Sequence, residues 1–426
     1  MPDGSATAHV YRPKLLTVFR EGYSIAAFRH DFLAAATVAI VALPLSMAFA
    51  IASGVSPERG LYTAIVGGFL VSALGGSRFQ IGGPAGAFIV LVSATVAKFG
   101  VQGLLVTVLM SGVFLTLVGL SRLGSLIRHI PHAVTVGFTA GIAVIILASQ
   151  LKDLAGLYLA GGEPGLLLPK LAALAAALPT LNLSALAIGL GSGAFILLLR
   201  HFKPLWPGML MAVMAFSIIA WLLHLPVETI GSRFGELPHG LLKPSVPSMT
   251  VWLILNLLPV SLSFTLLGGV ESLLSAKVAD TMTGRRHRSN MELVAQGLAN
   301  IASALFGGIP VTGTIARTAT NVRAGAKSPL SGMMHALFIL LFLLVAAPLA
   351  SFVPLSALAG VLVVVCWNMA DRADFAALLR RWPSAAVLLC TFGLTILRDL
   401  TAGIVAGCLL AALLGLIRHG VKEEGA

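Results

Sequence analysis

Charged side chains are scarce in this sequence of 426 residues. Aspartate, glutamate, lysine and arginine make up 10% of it, whereas ordinary soluble domains contain about 25%. So few charges cannot cover a water-exposed surface, which excludes an ordinary soluble protein. Hydrophobic residues make up 58% of the sequence, and apolar runs of roughly 17–25 residues, long enough to span a bilayer core, recur along it. The composition predicts an all-α polytopic protein embedded in a lipid bilayer.

Cysteine and the common catalytic motifs are also rare or missing. The three cysteines, Cys366, Cys390 and Cys408, all lie in apolar stretches and form no CxxC pair or metal-binding spacing. The sequence contains no Walker A phosphate-binding loop, no HExxH zinc motif and no GxSxG nucleophile motif. We therefore expect no cofactor and no enzymatic activity, and an ATP-driven pump or an intramembrane enzyme is disfavoured.

The excess of positive charge, a formal net charge of +12, does not indicate nucleic acid. The basic residues are spread over many short loops instead of forming one patch. Most of them lie in the segments that become cytoplasmic if the N-terminus is cytoplasmic, as the positive-inside rule requires. The predicted location is a bacterial inner (plasma) membrane with both termini in the cytoplasm. Residues 1–30 form a cytoplasmic segment that is polar and basic, so no cleavable targeting sequence is expected there.

Two sets of seven membrane segments are predicted, residues 31–225 and residues 250–418. Proline, glycine or charged turns separate the segments. An odd number of spans makes the second set enter from the opposite side, which gives an inverted repeat of the kind common in secondary transporters. The predicted centres are Leu43, Gly67, Leu91, Leu109, Ala140, Ile188, Ala215, Gly268, Ala299, Thr320, Leu341, Val363, Leu389 and Ala406.

The third segment of each set is interrupted by glycine and proline. The first reads RFQIGGPAGA over residues 78–87 and the second FGGIPVTGTI over residues 306–315. Each predicts a short extended stretch followed by a half-helix, whose free N–H groups and partial positive charge attract anions. The alternative is two kinked helices with glycine packing faces. The predicted anion-binding residues are Ala85, Gly86, Ala87, Gly313, Thr314, Ile315 and Ala316.

Two ionisable residues, Glu271 and Arg317, stand out inside predicted spans, where a charge is costly and usually functional. Arg317 follows the start of the second half-helix and would add positive potential, unless it reaches an interface instead. Glu271 has Ser275 one turn further along the same helix. A carboxyl group in a low dielectric can exist neutral, which suits a proton carrier. With a hydroxyl it could instead ligate sodium, or it could simply neutralise Arg317 or Lys277.

Several of these stretches together resemble the sulfate permease (SulP) family of anion transporters. Residues 31–54, with Leu43-Pro44, and residues 78–87 resemble its first and third helices. The most specific motifs are ESLLSAKVAD at 271–280, RSNME at 288–292, QGLAN at 296–300 and GGIPVTGTIART at 307–318. Their order and spacing fit from about residue 28 to 417.

The resemblance implies a UraA-like arrangement of core and gate domains, a homodimer, and movement of the core against the gate in an elevator-like mechanism. Segments 1–4 and 8–11 would form the core, and segments 5–7 and 12–14 the gate. Helices 1, 3, 8 and 10 would form the substrate site. The family usually carries a cytoplasmic STAS domain after the last helix, and this sequence is expected to contain none.

The sequence thus predicts proton-coupled symport of a small inorganic or carboxylate anion, such as sulfate, bicarbonate or a dicarboxylate. Glu271 would carry the proton, and Ser46 and Ser275 would add hydrogen bonds to the anion. Sodium-coupled bicarbonate members of the family are similar but place an aspartate and a hydroxyl at the positions of Glu271 and Ile315, which favours protons here. A sodium-coupled bicarbonate symporter, an uncoupled channel or exchanger, and a nucleobase permease are the alternatives.

Overall fold

A chain of nineteen helices with two very short strands makes up the described part of the computed structural model. The structure describes residues 11–124, 131–159, 163–164, 167–203, 206–240, 243–398 and 400–423. The helices are α1 (Lys14–Glu21), α2 (Ile25–Ala52), α3 (Pro57–Tyr62), α4 (Gly68–Leu74), α5 (Ile89–Leu120), α6 (His132–Ala155), α7 (Leu167–Ala176), α8 (Leu183–Phe202), α9 (Gly208–Leu222), α10 (Ile230–Phe234), α11 (Val251–Thr283), α12 (Ser289–Leu305), α13 (Ile315–Arg323), α14 (Leu330–Val345), α15 (Ala347–Ala350), α16 (Leu355–Met369), α17 (Arg372–Leu379), α18 (Trp382–Leu397) and α19 (Leu400–Glu423). The strands are β1 (Gly82–Gly83) and β2 (Thr312–Gly313).

Six of the helical segments are long and apolar enough to cross a membrane, and five shorter helices of 10–17 residues are also apolar. Large apolar side chains such as Leu190, Trp221 and Leu341 are more than half exposed. Such exposure is unfavourable in water but expected against lipid tails. The prediction of a helical polytopic membrane protein is confirmed.

Every predicted segment centre lies in a helical element. Gly67 falls in a π-helical turn, Thr63–Gly67, that joins α3 to α4. Leu91 and Leu109 share α5, which bends at Gly100, where φ is 68° and ψ is −176°. Glycine tolerates this left-handed φ without a steric penalty. The predicted third and fourth segments are therefore two straight pieces joined at Gly100.

The helices pack in two groups. In one group, α5 packs on α11 and α12, α14 packs on α2 and α4, and α13 packs on α11 and α2. In the other, α6 packs on α8, α16 and α18, while α18 also packs on α19. Helix α2 touches both groups, because it also contacts α9 and α16.

The two extended stretches meet as an antiparallel pair. Gly82 lies opposite Gly313, and Gly83 lies opposite Thr312. Extended backbone inside a bilayer needs internal hydrogen-bond partners. Side chains supply many of them: the Asn300 amide donates to the Val311 carbonyl at 2.8 Å and accepts from the Val311 N–H at 3.0 Å. Asn300 on α12 therefore stabilises the extended backbone before α13.

The segment before α2 is tied to two loops by polar contacts. The Arg288 Nη1 atom donates to the Arg12 carbonyl at 2.7 Å and to Thr17 Oγ1 at 3.0 Å. The Arg78 Nη2 atom donates to Glu21 Oε2 at 2.6 Å. This hydrogen bond from Arg78 holds the pKa of the Glu21 carboxyl below its ordinary value. Because Glu21 is half exposed, water screens the pair.

Candidate functional site

The antiparallel pairing places the starts of the two half-helices on either side of one crossing point. After β1 the chain forms a 3-10 turn, Gly86–Phe88, that continues into α5. After β2 it enters α13 at Ile315. Because the strands run in opposite directions, the half-helices leave the crossing in opposite directions and their N-termini face each other. Helix α11 touches both, and the rings of Phe88 and Phe264 lie 5.4 Å apart between centroids.

The first start, formed by Ala85, Gly86 and Ala87, is buried. A Cβ added at Gly86 would lie 3.3 Å from Phe49 Cε1, 3.4 Å from Ile146 Cδ1 and 3.6 Å from Met369 Sδ. Ile146 and Met369 belong to α6 and α16, so helices of the second packing group cover the first start with apolar side chains.

The second start is open, but fewer of its N–H groups are free than the sequence suggested. Ile315 and Ala316 are exposed and lie in the first turn of α13, where N–H groups have no partner within the helix. Thr314, in contrast, donates its N–H to the Ile81 carbonyl at 3.0 Å. The Gly313 N–H donates to Ser272 Oγ at 3.3 Å. The open donors of the second start are therefore those of Ile315 and Ala316.

Arg317 points back beneath the first extended stretch. It is only 2% exposed, and its Nη2 atom donates to Ser46 Oγ at 3.3 Å. Its Nη1 atom lies against Gly83, where an added Cβ would come within 2.2 Å, and has no hydrogen-bond partner in the described part of the chain. Ser46 is fully buried, so in this conformation its hydroxyl serves Arg317.

Glu271 lies on α11 beside the second start and is partly exposed. Its Oε2 atom is buried and has no hydrogen-bond partner among the described residues. It interacts electrostatically with Arg317. One turn further along α11, Ser275 is fully buried and donates to Thr318 Oγ1 at 3.0 Å. Glu271 is therefore an acidic group on a helix that packs against α13, and the Ser275 hydroxyl is bonded to α13.

Sequence reasoning missed a group of neutral polar residues that join α11 to the two strands. Gln80 Nε2 donates to the Ser272 carbonyl at 3.0 Å. Ser272 Oγ and Thr312 Oγ1 lie 2.7 Å apart, and Thr318 Oγ1 accepts from the Ile81 N–H at 3.1 Å. The available signal in the sequence was the polar character of Gln80 and Thr312, which lie within the glycine-rich motifs at 78–87 and 306–315.

A second missed residue is His335 on α14. It is fully buried, its ring nitrogens have no hydrogen-bond partner among the described residues, and Arg317 acts on it electrostatically. Its imidazole adds to the polar groups around the buried guanidinium.

The arrangement combines helix N-termini, a buried guanidinium and an acid with a partnerless oxygen. Helix N-termini and arginine attract anions, and the acid can hold or release a proton. Within the described part of the chain, no group of three or more His, Cys, Asp and Glu residues could hold a metal ion. The helix N-termini and the buried guanidinium are instead groups that can attract an anion.

Comparison with known proteins identifies the family of the chain. A model of the sulfate permease family matches residues 28–392. The protein named "Putative sulfate transporter YvdB" of Bacillus subtilis (strain 168) is 44% identical over 394 residues, which cover 92% of this chain and 74% of that protein. The bicarbonate transporter BicA of Picosynechococcus is 31% identical over 408 residues, which cover 92% of this chain and 70% of that protein.

Two solved structures have the same fold. The transmembrane domain of a cyanobacterium bicarbonate transporter BicA superposes with a TM-score of 0.79 at 29% identity, covering 89% of this chain and 98% of that chain. SLC26A9 superposes with a TM-score of 0.88 at 19% identity, covering 97% of this chain and 69% of that chain, a likeness of fold alone. The family identification made from the sequence motifs is confirmed: this chain is an integral membrane protein that belongs to the sulfate permease family of anion transporters.

Proposed function

We propose that the protein is a proton-coupled symporter of a small anion. The observation that carries this proposal is the place of Glu271. Its buried Oε2 atom has no partner among the described residues, its helix packs on α13, and it interacts with the buried charge of Arg317. A neutral and a charged Glu271 would alter the potential at the anion site, which links proton binding to anion binding.

The anion would bind between the two half-helix starts. Open N–H groups of Ile315 and Ala316 would contact it from one side and those of Ala85, Gly86 and Ala87 from the other. Arg317 would supply positive potential from behind the strands. Ser46 and Ser275 are bonded to Arg317 and Thr318 in this conformation, so they would reach the anion only after rearrangement.

The proposed architecture is fourteen spans in two inverted repeats of seven. Support comes from a helical element at each predicted centre and from the antiparallel pairing of one extended stretch from each half. The two packing groups of helices support the proposed division into core and gate. We also propose elevator-like movement of core against gate, a homodimer, a bacterial inner membrane, and termini in the cytoplasm.

Uptake into proteoliposomes tests this function. Labelled sulfate, bicarbonate and fumarate would each be offered with an inward proton gradient, an inward sodium gradient or no gradient. We expect one of these anions to accumulate with the proton gradient. Accumulation with sodium alone would contradict proton coupling, and equilibration without accumulation would indicate a channel or an exchanger.

Sodium-coupled bicarbonate transport is the second candidate, because the chain resembles a bicarbonate transporter over its whole membrane domain. A sodium ion needs several oxygen ligands, as other hard cations do. Glu271 offers a carboxylate, but the nearby Ser275 hydroxyl already bonds Thr318. This arrangement favours the proton over sodium.

A further inference from the structure

The first extended stretch contains no ionisable side chain between Gln80 and Gly83, yet it touches both charged elements of the site. Gln80 Nε2 bonds the Ser272 carbonyl, one residue from Glu271. Gly83 lies against the Arg317 guanidinium. We propose that Gln80 and Gly83 are positioning residues that fix Glu271 and Arg317 relative to each other. This role presupposes the proposed anion site.

Gln80 acts as a wedge between α11 and β2. It is almost fully buried, and a Cβ added at Gly313 would lie 1.4 Å from its Nε2 atom. The amide therefore fills the space that a side chain at Gly313 would need. Because the same nitrogen bonds the Ser272 carbonyl, Gln80 holds α11 at a fixed distance from the second strand.

Ser272 and Thr312 complete this contact. Their hydroxyl oxygens lie 2.7 Å apart, and the Gly313 N–H donates to Ser272 Oγ at 3.3 Å. Ser272 is thus bonded to both β2 and the first extended stretch, directly beside Glu271. Buried hydrogen bonds of this kind define position because their loss leaves polar groups unpaired.

Gly83 sets the position of the Arg317 guanidinium. The Arg317 guanidinium is planar and rigid, and it is held between Ser46, 3.3 Å from Nη2, and the backbone of Gly83. Any side chain at Gly83 would occupy the space of Nη1 and push the guanidinium out. Glycine is required here for close approach.

The separation of the two charges then determines how they act on each other. The charged residues on the elements packed against α11 are Lys98 on α5, Glu292 on α12, and Arg317 and Arg323 on α13; α11 itself carries Lys277 and Asp280. Within the described part of the chain, Arg317 is the one that acts on Glu271. Because Coulomb energy falls with distance, a shift of either group changes the proton affinity of Glu271.

Two neutral substitutions test the role of the wedge. Gln80→Met keeps the length of the side chain without its amide, and Thr312→Val keeps its shape without its hydroxyl. Thr107→Val is the matched control, because Thr107 is also fully buried and its hydroxyl donates to the Gly103 carbonyl of its own helix. Uptake in proteoliposomes would give KM, the maximal rate and the pH midpoint for each variant.

We expect Gln80→Met and Thr312→Val to raise KM for the anion by about threefold to tenfold, the effect of one lost buried hydrogen bond. The pH midpoint should also shift, because the distance between Glu271 and Arg317 would no longer be fixed and their Coulomb energy depends on it. Thr107→Val should change neither quantity.

A double-mutant cycle tests Gly83. Gly83→Ala should raise KM in the native background, and should have much less effect in an Arg317→Lys background, since lysine lacks the fork that meets Gly83. If Gly83→Ala does not fold, the Gln80 and Thr312 variants decide the question.

The outcomes separate this role from the proposed function. A native protein whose uptake does not depend on protons would overturn the proposed function. Proton-dependent uptake that Glu271→Gln abolishes, together with Gln80→Met and Thr312→Val that match Thr107→Val in KM and pH midpoint, would overturn the positioning role alone.

Discussion

The two half-helix starts differ in their surroundings, although each follows an extended stretch of similar sequence. The first is buried beneath three apolar side chains that meet Gly86. The second exposes Ile315 and Ala316 and has Glu271 and Arg317 beside it. The first start has backbone N–H groups covered by apolar side chains, whereas the second start is exposed and has charged side chains nearby. The two starts therefore follow the same kind of extended stretch but differ in access and in nearby charge.

Removing the charge of the second start should have the largest effect. Arg317→Gln leaves Glu271 without its positive partner, and truncating one member of a buried charge pair costs roughly 2–5 kcal/mol. We expect KM for the anion to rise at least about thirtyfold. The matched control is Arg323→Gln, an exposed arginine on the same helix. A change below threefold in Arg317→Gln would show that Arg317 does not serve the anion.

The glycines of the two regions should respond differently to alanine. At Gly313 a Cβ would overlap the Gln80 amide, whereas at Gly86 it would be 3.3 Å or more from the ends of flexible side chains. Gly313→Ala should cost about 1–3 kcal/mol by overpacking, and Gly86→Ala less. Thermal unfolding in detergent measures both. Equal melting temperatures for the two variants would contradict the difference in packing.

Cysteine accessibility tests whether only the second start is open. In a background with Cys366, Cys390 and Cys408 replaced, Ala316→Cys should react with a water-soluble thiol reagent at least about tenfold faster than Ala85→Cys, because reactivity requires exposure. Met369→Ala should speed the reaction of Ala85→Cys by uncovering it. Similar rates at both positions would mean that the first start is not covered.

Features that depend on neighbouring residues in the sequence could be predicted, whereas contacts between distant parts of the chain could not. The glycine–proline interruptions are local, so the sequence predicted both half-helices, and Arg317 and Glu271 stood out as charges within apolar runs. The bond from Thr314 to Ile81 and the place of Gln80 arise only when strands from the two halves pair. For the same reason, the sequence could not show that Ser46 and Ser275 bond internal partners.

The smallest effect is expected from removing the ion pair between Arg78 and Glu21. The bond from Arg78 lowers the pKa of Glu21, so the pair stabilises the fold above the ordinary glutamate pKa, and this contribution is lost as pH falls through the lowered value. Since Glu21 is half exposed, Glu21→Gln should cost less than about 1 kcal/mol. Melting temperatures at neutral and acidic pH check this. A large loss at neutral pH would mean that the pair anchors the first stretch.

Transport by Glu271→Gln tests the role of Glu271 as proton carrier most directly. The matched control is Glu236→Gln, the same change at an exposed glutamate. Both variants would be assayed in proteoliposomes for exchange of labelled anion and for its accumulation with an inward proton gradient. We expect Glu271→Gln to exchange anion without accumulating it, and Glu236→Gln to do both. Accumulation by Glu271→Gln at the native level would contradict the assignment of Glu271 as the proton carrier.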